Sequence, residues 1–150
     1  MKYYISALKQ YANFSGRSTR SEYWYFVLFN FIFFIAISML DTAFGTRIDY
    51  ESSYHGAYGY TQSSVHIGFL SLAYALAVFL PGLAVFVRRM HDVGKSGWYI
   101  LLAFLPLIGF IWLLVLLCTD SQPGENKYGP NSFGIGNQSV EQIGEYLNKQ

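Results

Sequence analysis

The sequence predicts an all-α integral membrane protein: three transmembrane helices preceded by an N-terminal amphipathic helix at the lipid interface. Three observations carry that expectation. Residues 23–40, 67–87 and 98–118 hold no Asp, Glu, Lys or Arg. Charged residues make up 13% of the chain, about half the roughly 25% of an ordinary soluble domain. Every cation lies outside these three runs. The 150 residues suit one membrane domain, 1–130, followed by a polar tail, 131–150, expected to be mobile. The net charge is +1, with ten cations spread along the chain. That balance excludes nucleic acid as an expected partner.

The first element is an amphipathic helix over 2–14. Tyr4, Leu8 and Tyr11 share one face, and Lys2 and Lys9 flank it. A basic, Tyr-rich helix suits the headgroup level. Gly16 breaks it. Thr19 and Glu22 then have capping-box spacing for the next helix. Trp24 and its tyrosines fall where an aromatic belt belongs. The run 23–40 covers about 27 Å as a helix, near the thickness of the hydrocarbon core. A signal peptide is the competing reading, with Ala36-Ile37-Ser38 as a mimic of a cleavage site. The run is longer than a signal h-region, which favours a span.

Residues 41–66 read as a polar loop holding Asp41, Arg47, Asp49 and Glu51. His55 and His66 lack a third ligand nearby, so no metal is expected there. The second run, 67–87, covers about 32 Å. The third, 98–118, contains fourteen Leu, Ile, Val or Phe residues. These favour insertion by about 4–8 kcal/mol. Between these two runs, Gly94 suits a left-handed helix end and Ser96 a helix cap. An antiparallel helical hairpin is therefore predicted. Cys118, the single cysteine, excludes an intramolecular disulfide and reads as a small hydrophobe.

Orientation follows from the cations. Lys2, Lys9, Arg17 and Arg20 precede the first run, Arg47 follows it, and Arg88, Arg89 and Lys95 follow the second. The positive-inside rule places the N-terminus and the 88–95 connector in the cytoplasm. Three full spans then leave the tail outside, against the mild objection of Lys127. Pro106-Leu107-Ile108-Gly109 offers the alternative, a re-entrant segment that returns the tail to the cytoplasm.

Three blocks carry a resemblance: Gly16-Arg17-Ser18-Thr19-Arg20-Ser21-Glu22-Tyr23-Trp24, Arg88-Arg89-Met90-His91-Asp92-Val93-Gly94-Lys95-Ser96-Gly97-Trp98, and Pro123-Gly124-Glu125-Asn126-Lys127-Tyr128-Gly129-Pro130. Over about 11–130 the chain resembles the bacterial domain of unknown function 805, the YhaH-like inner-membrane proteins. Met90, Tyr99 and Ser132 depart from the residues more common in that family. The resemblance implies a small multi-pass inner-membrane protein and supplies no activity. It favours all three blocks meeting on one membrane side.

The chemistry on offer is sparse. Gly94-Lys95-Ser96 imitates the end of a P-loop, but Arg89 occupies the position of its first glycine. His91-Asp92 suggests a base and its orienting carboxylate, yet neighbours on a helix point about 100° apart. An enzyme on a membrane-borne substrate is therefore the third choice of function. A transporter or channel subunit is the second, opposed by the lack of ionisable residues within any run. A non-enzymatic module binding lipid, a protein partner or a second copy comes first, with no cofactor. Its candidate binding set is Arg17, Arg20, Glu22, Trp24, Arg88, Arg89, His91, Asp92, Lys95, Trp98, Glu125, Asn126 and Tyr128. Near an acidic leaflet each cation contributes about 1 kcal/mol. Alternatively the cations only set topology and pair with Glu22 and Asp92. Pro81 and Pro106 are expected helix breaks at equal depth, freeing the carbonyls of Ala77 and Leu102 to line a small polar pocket.

Overall fold

The computed structural model describes residues 2–56 and 59–133. In order these form α1 (Lys2–Lys9), α2 (Arg20–Phe44), β1 (Arg47–Gly56), β2 (Gly59–Gly68), α3 (Phe69–Asp92), a 3-10 helix (Gly97–Phe104) and α4 (Ile108–Cys118). The contacts divide the chain into two compact units, Met1–Val27 with Pro81–Gln150, and Leu28–Leu80.

The first two apolar runs lie inside α2 and α3. These helices have 25 and 24 residues, and both are long and apolar enough to cross a membrane. Thr19 starts α2 as the spacing predicts, its hydroxyl accepting the Glu22 N–H at 3.2 Å. Glu22 does not complete a capping box. Its carboxylate instead receives the Ser18 hydroxyl at 2.9 Å.

The third run is not one helix, which corrects the expectation of an uninterrupted span at 98–118. Its first half is a 3-10 helix that ends where Leu105 turns extended. Pro106 supplies no N–H and disfavours helical backbone in the residue before it. Leu107 then takes φ 63°, the only non-glycine positive φ among the described residues. A Cβ on Gly109 would lie 1.9 Å from the Leu102 carbonyl oxygen, so only glycine permits this close reversal. The remaining helix, α4, has 11 residues, about 16 Å of rise.

Both ends of that segment sit at the last turn of α3. On the way out, the Lys95 N–H bonds the Met90 carbonyl at 2.8 Å. On the way back, the Gln122 N–H bonds the Asp92 carbonyl at 3.0 Å. Residues 97–118 therefore form an apolar hairpin that leaves and rejoins α3 at one level. Gly94 closes α3 with φ 72°, and Ser96 Oγ accepts the Trp98 N–H at 3.4 Å, as expected. Arg88 to Asp92 belong to α3 itself, so the connector is shorter than the sequence suggests.

Pro106 is a break; Pro81 is not, because α3 runs through it to Asp92. Ala77 is not without a partner, and the Leu102 carbonyl accepts the Leu105 N–H at 3.0 Å. The Leu102 carbonyl is therefore not the free acceptor expected, because the Leu105 N–H takes it up.

In the first unit, Ala7 of α1 packs with Phe26 and Val85, and Tyr4, Leu8 and Tyr23 cover this cluster. A second cluster joins Met90 to Leu113, Leu116 and Leu117. Most other apolar side chains face outward, among them Phe104, Leu107, Ile108 and Phe110.

In the second unit the expected loop is an antiparallel β-hairpin. Arg47 pairs with Gly68 at one end and Gly56 with Gly59 at the other. Asp41 is the hub beside it. Its buried carboxylate accepts the N–H groups of Leu70 at 2.9 Å and Ser71 at 2.8 Å, and the hydroxyls of Ser71 and Thr46. An acid at this place satisfies orphan donors and the positive end of α3. Tyr74 also donates to Asn30 Oδ1 at 2.7 Å. The expected mobile tail lies outside the described residues from 134 onward, as do the side chains of His55 and His66.

Candidate functional site

Arg17 of the first block and Arg89 of the second meet at Asp92, the last residue of α3, and Arg17 also reaches the Gly124 carbonyl of the third block. Asp92 Oδ1 accepts Arg17 Nε at 3.0 Å. Its Oδ2 accepts Arg89 Nη1 and the Ser121 hydroxyl. All three of Arg17, Arg89 and Asp92 are buried. Each guanidinium then reaches past Asp92 to backbone. Arg17 Nη1 donates to the Gly124 carbonyl at 2.8 Å, and its Nη2 to Gln122. Arg89 donates to Leu117 at 3.2 Å and to Thr119. The planar fork of arginine suits such many-sided bonding in a dry site.

Arg88 faces the other way. It donates to Gln10 Oε1, and its Nη1 lies 3.8 Å from Glu22 Oε1. Arg88 Nη2 and Glu22 Oε1 carry no hydrogen bond among the described residues. The Ser18 N–H bonds the Arg88 carbonyl at 3.0 Å. Glu22 completes a buried set of three arginines and two carboxylates.

The third block is held by its own amides. Asn126 Nδ2 donates to the His91 carbonyl at 3.0 Å, and Asn126 Oδ1 accepts the Tyr128 N–H at 2.9 Å. The Tyr128 ring stacks on His91 with centroids 3.7 Å apart. His91 Nδ1 lies 3.3 Å from the Gly16 carbonyl. The Asp92 carboxylate is thus taken by two arginines, and His91 is engaged elsewhere. The two do not form a base and its orienting acid.

Arg20, Trp24, Lys95, Trp98 and Glu125 remain at the surface. Arg20 pairs with the exposed Asp120 and donates to the Cys118 carbonyl at 3.2 Å. Trp98 is 76% exposed. Lys95 lies 5.9 Å from the Tyr99 ring centroid. No group of three or more His, Cys, Asp or Glu that could hold a metal converges among the described residues.

Sequence reasoning missed Gln10, Ser18, Ser121, Gln122 and Asn131. Asn131 is buried, and its amide donates to the Gln122 carbonyl at 2.8 Å. The Pro123-Gly124 turn beside them was the available signal, since a turn with free carbonyls needs donors.

Fold and site together define a small, predominantly helical protein of the membrane type: two long apolar helices, an outward-facing apolar surface and a buried ionic cluster at one helix end. The chain belongs to the family described as Protein of unknown function (DUF805), whose model matches residues 11–130. It is similar to Inner membrane protein YhaI of Escherichia coli (strain K12), 40% identical over 129 residues, covering 86% of this chain and 93% of the relative. It is also similar to Inner membrane protein YhaH of the same organism, 37% identical over 131 residues, covering 87% and 96%. No solved structure matches the chain.

Proposed function

We propose that this chain is a non-enzymatic inner-membrane module with two full spans, α2 and α3, and a re-entrant hairpin at 97–118. Its exposed cytoplasmic rim binds acidic lipid headgroups. One observation carries the reading: Arg89 and Asp92 hold Leu117, Thr119 and Gln122 at the same end of α3 from which the hairpin departs. A helix of about 16 Å reaches only about half-way through a hydrocarbon core of roughly 30 Å. This topology puts Lys127 on the same side as Lys2, Lys9, Arg17, Arg20, Arg88, Arg89 and Lys95, and so removes the charge conflict of three full spans. The names of the two relatives support the inner membrane. The exposed Tyr3 and Ile5 suit α1 to the headgroup level.

Burial commits Arg17 and Arg89 to Asp92, and Arg88 to Gln10 and Glu22, as a clasp. Recognition then falls to Arg20, Trp24, Lys95 and Trp98, with His91, Glu125, Asn126 and Tyr128 beside them. Arg20→Gln with Lys95→Gln removes about 2 kcal/mol of headgroup attraction on the scale of 1 kcal/mol per charge. Acidic phospholipid co-purifying with this double variant is expected to fall while insertion stays normal. Unchanged lipid content contradicts the reading.

A further inference from the structure

We infer that the cleft between the 3-10 helix and α4 seats one acyl chain of an anionic phospholipid, with Lys95 holding its phosphate. The inference rests on the lipid-binding rim proposed above and gives it a specific site.

The cleft is open along one side and offers about 630 Å³, within the roughly 300–1,000 Å³ usual for small-molecule sites. Leu101, Leu102, Leu105, Ile108 and Trp112 form its wall. Its far end is fixed by the close approach of Gly109 to Leu102. Its near end is Ser96, Trp98 and Tyr99, which adjoin the connector. So the lining is hydrocarbon where the hairpin lies deepest and becomes polar where it starts.

Lys95 stands at that polar end. It is exposed and lies by the ring of Tyr99, a cleft residue. Arg17, Arg20, Arg88 and Arg89 each have a carboxylate within 4.0 Å; Lys95 has none among the described residues. A long apolar cleft with one uncommitted cation at its mouth is complementary to an amphiphile with an anionic head. The exposed indole of Trp98 beside it suits the headgroup level.

Native mass spectrometry of the full chain in detergent tests the inference. The probes are dioleoyl phosphatidylglycerol, dioleoyl phosphatidylcholine and dihexanoyl phosphatidylglycerol. One tight site for dioleoyl phosphatidylglycerol is expected, with the other two lipids at least about fivefold weaker. Lys95→Gln is expected to reduce binding of dioleoyl phosphatidylglycerol to the level of the phosphatidylcholine. Leu105→Trp, which fills the cleft, is expected to remove the tight site. Equal binding of the dihexanoyl and dioleoyl glycerol lipids overturns the chain seat and leaves the rim reading standing. That comparison uses the unaltered protein, so it holds even if Leu105→Trp fails to fold. Equal binding of the two dioleoyl lipids overturns the anionic preference and the rim reading with it.

Discussion

Arg17 and Asp92 lie 75 residues apart in the chain and meet at 3.0 Å with both side chains out of solvent. The pair joins the segment before α2 to the end of α3. Through Arg17 it also holds the carbonyls of Gln122 and Gly124. Burying such ions is costly unless every donor and lone pair is used. Here Arg17 uses all three of its nitrogens, and both Asp92 carboxylate oxygens are taken.

Asp92→Ala strands two buried guanidinium groups. A loss of about 3–5 kcal/mol is expected, read as a large drop in the thermal midpoint in detergent. In a double-mutant cycle, Arg17→Ala and Asp92→Ala are expected to couple by at least about 1 kcal/mol. Additive losses contradict the pairing.

The Arg20–Asp120 pair is the control. Its side chains are 47% and 82% exposed. Asp120→Asn is expected to shift stability by less than about 1 kcal/mol, with the difference vanishing in high salt. A loss comparable to that of Asp92→Ala contradicts the distinction drawn between clasp and rim.

Gly94 has φ 72°, and a Cβ there would lie 2.5 Å from Gln122 Oε1. Gly94→Ala is expected to cost about 1–2 kcal/mol from backbone strain. Part of any further steric loss is expected to return with Gln122→Ala in the same chain, seen in the thermal midpoints. A neutral Gly94→Ala contradicts the turn geometry.

Asp41→Ala removes the acceptor from the first turn of α3. Amide hydrogen exchange at Leu70 and Ser71 is expected to accelerate, while amides of 84–92 keep their protection. Unchanged exchange at Leu70 and Ser71 contradicts the capping role.

The sequence made the two long helices legible because runs 23–40 and 67–87 are uncharged and of bilayer length. It also located the charged blocks and the Gly94 turn. Three features were hidden for physical reasons. The hairpin at 47–68 mixes Ser, Gln and His with its strand-forming Tyr, Val and Ile, which blurs the period-two pattern. Asp41 looked like a loop acid because its partners, Leu70 and Ser71, are 29 and 30 residues away. The break at Leu105–Leu107 was marked by Pro106, but composition alone does not say whether a chain kinks or reverses there. Hydrogen bonds from Arg89 to Leu117 and Thr119 fix the reversal, and they depend on tertiary contact. At the site, the three blocks were found by their resemblance to the family. Which members turn inward was not, because pairing decides it.

The most direct test of the re-entrant hairpin is the sidedness of Lys95 and Lys127. In a Cys118→Ala background, Lys95→Cys and Lys127→Cys are labelled with a membrane-impermeant maleimide. Both are expected to be protected in intact cells and reactive in inverted inner-membrane vesicles. Labelling of Lys127→Cys from outside intact cells, with Lys95→Cys protected, would mean that 97–118 crosses the bilayer and would contradict the account.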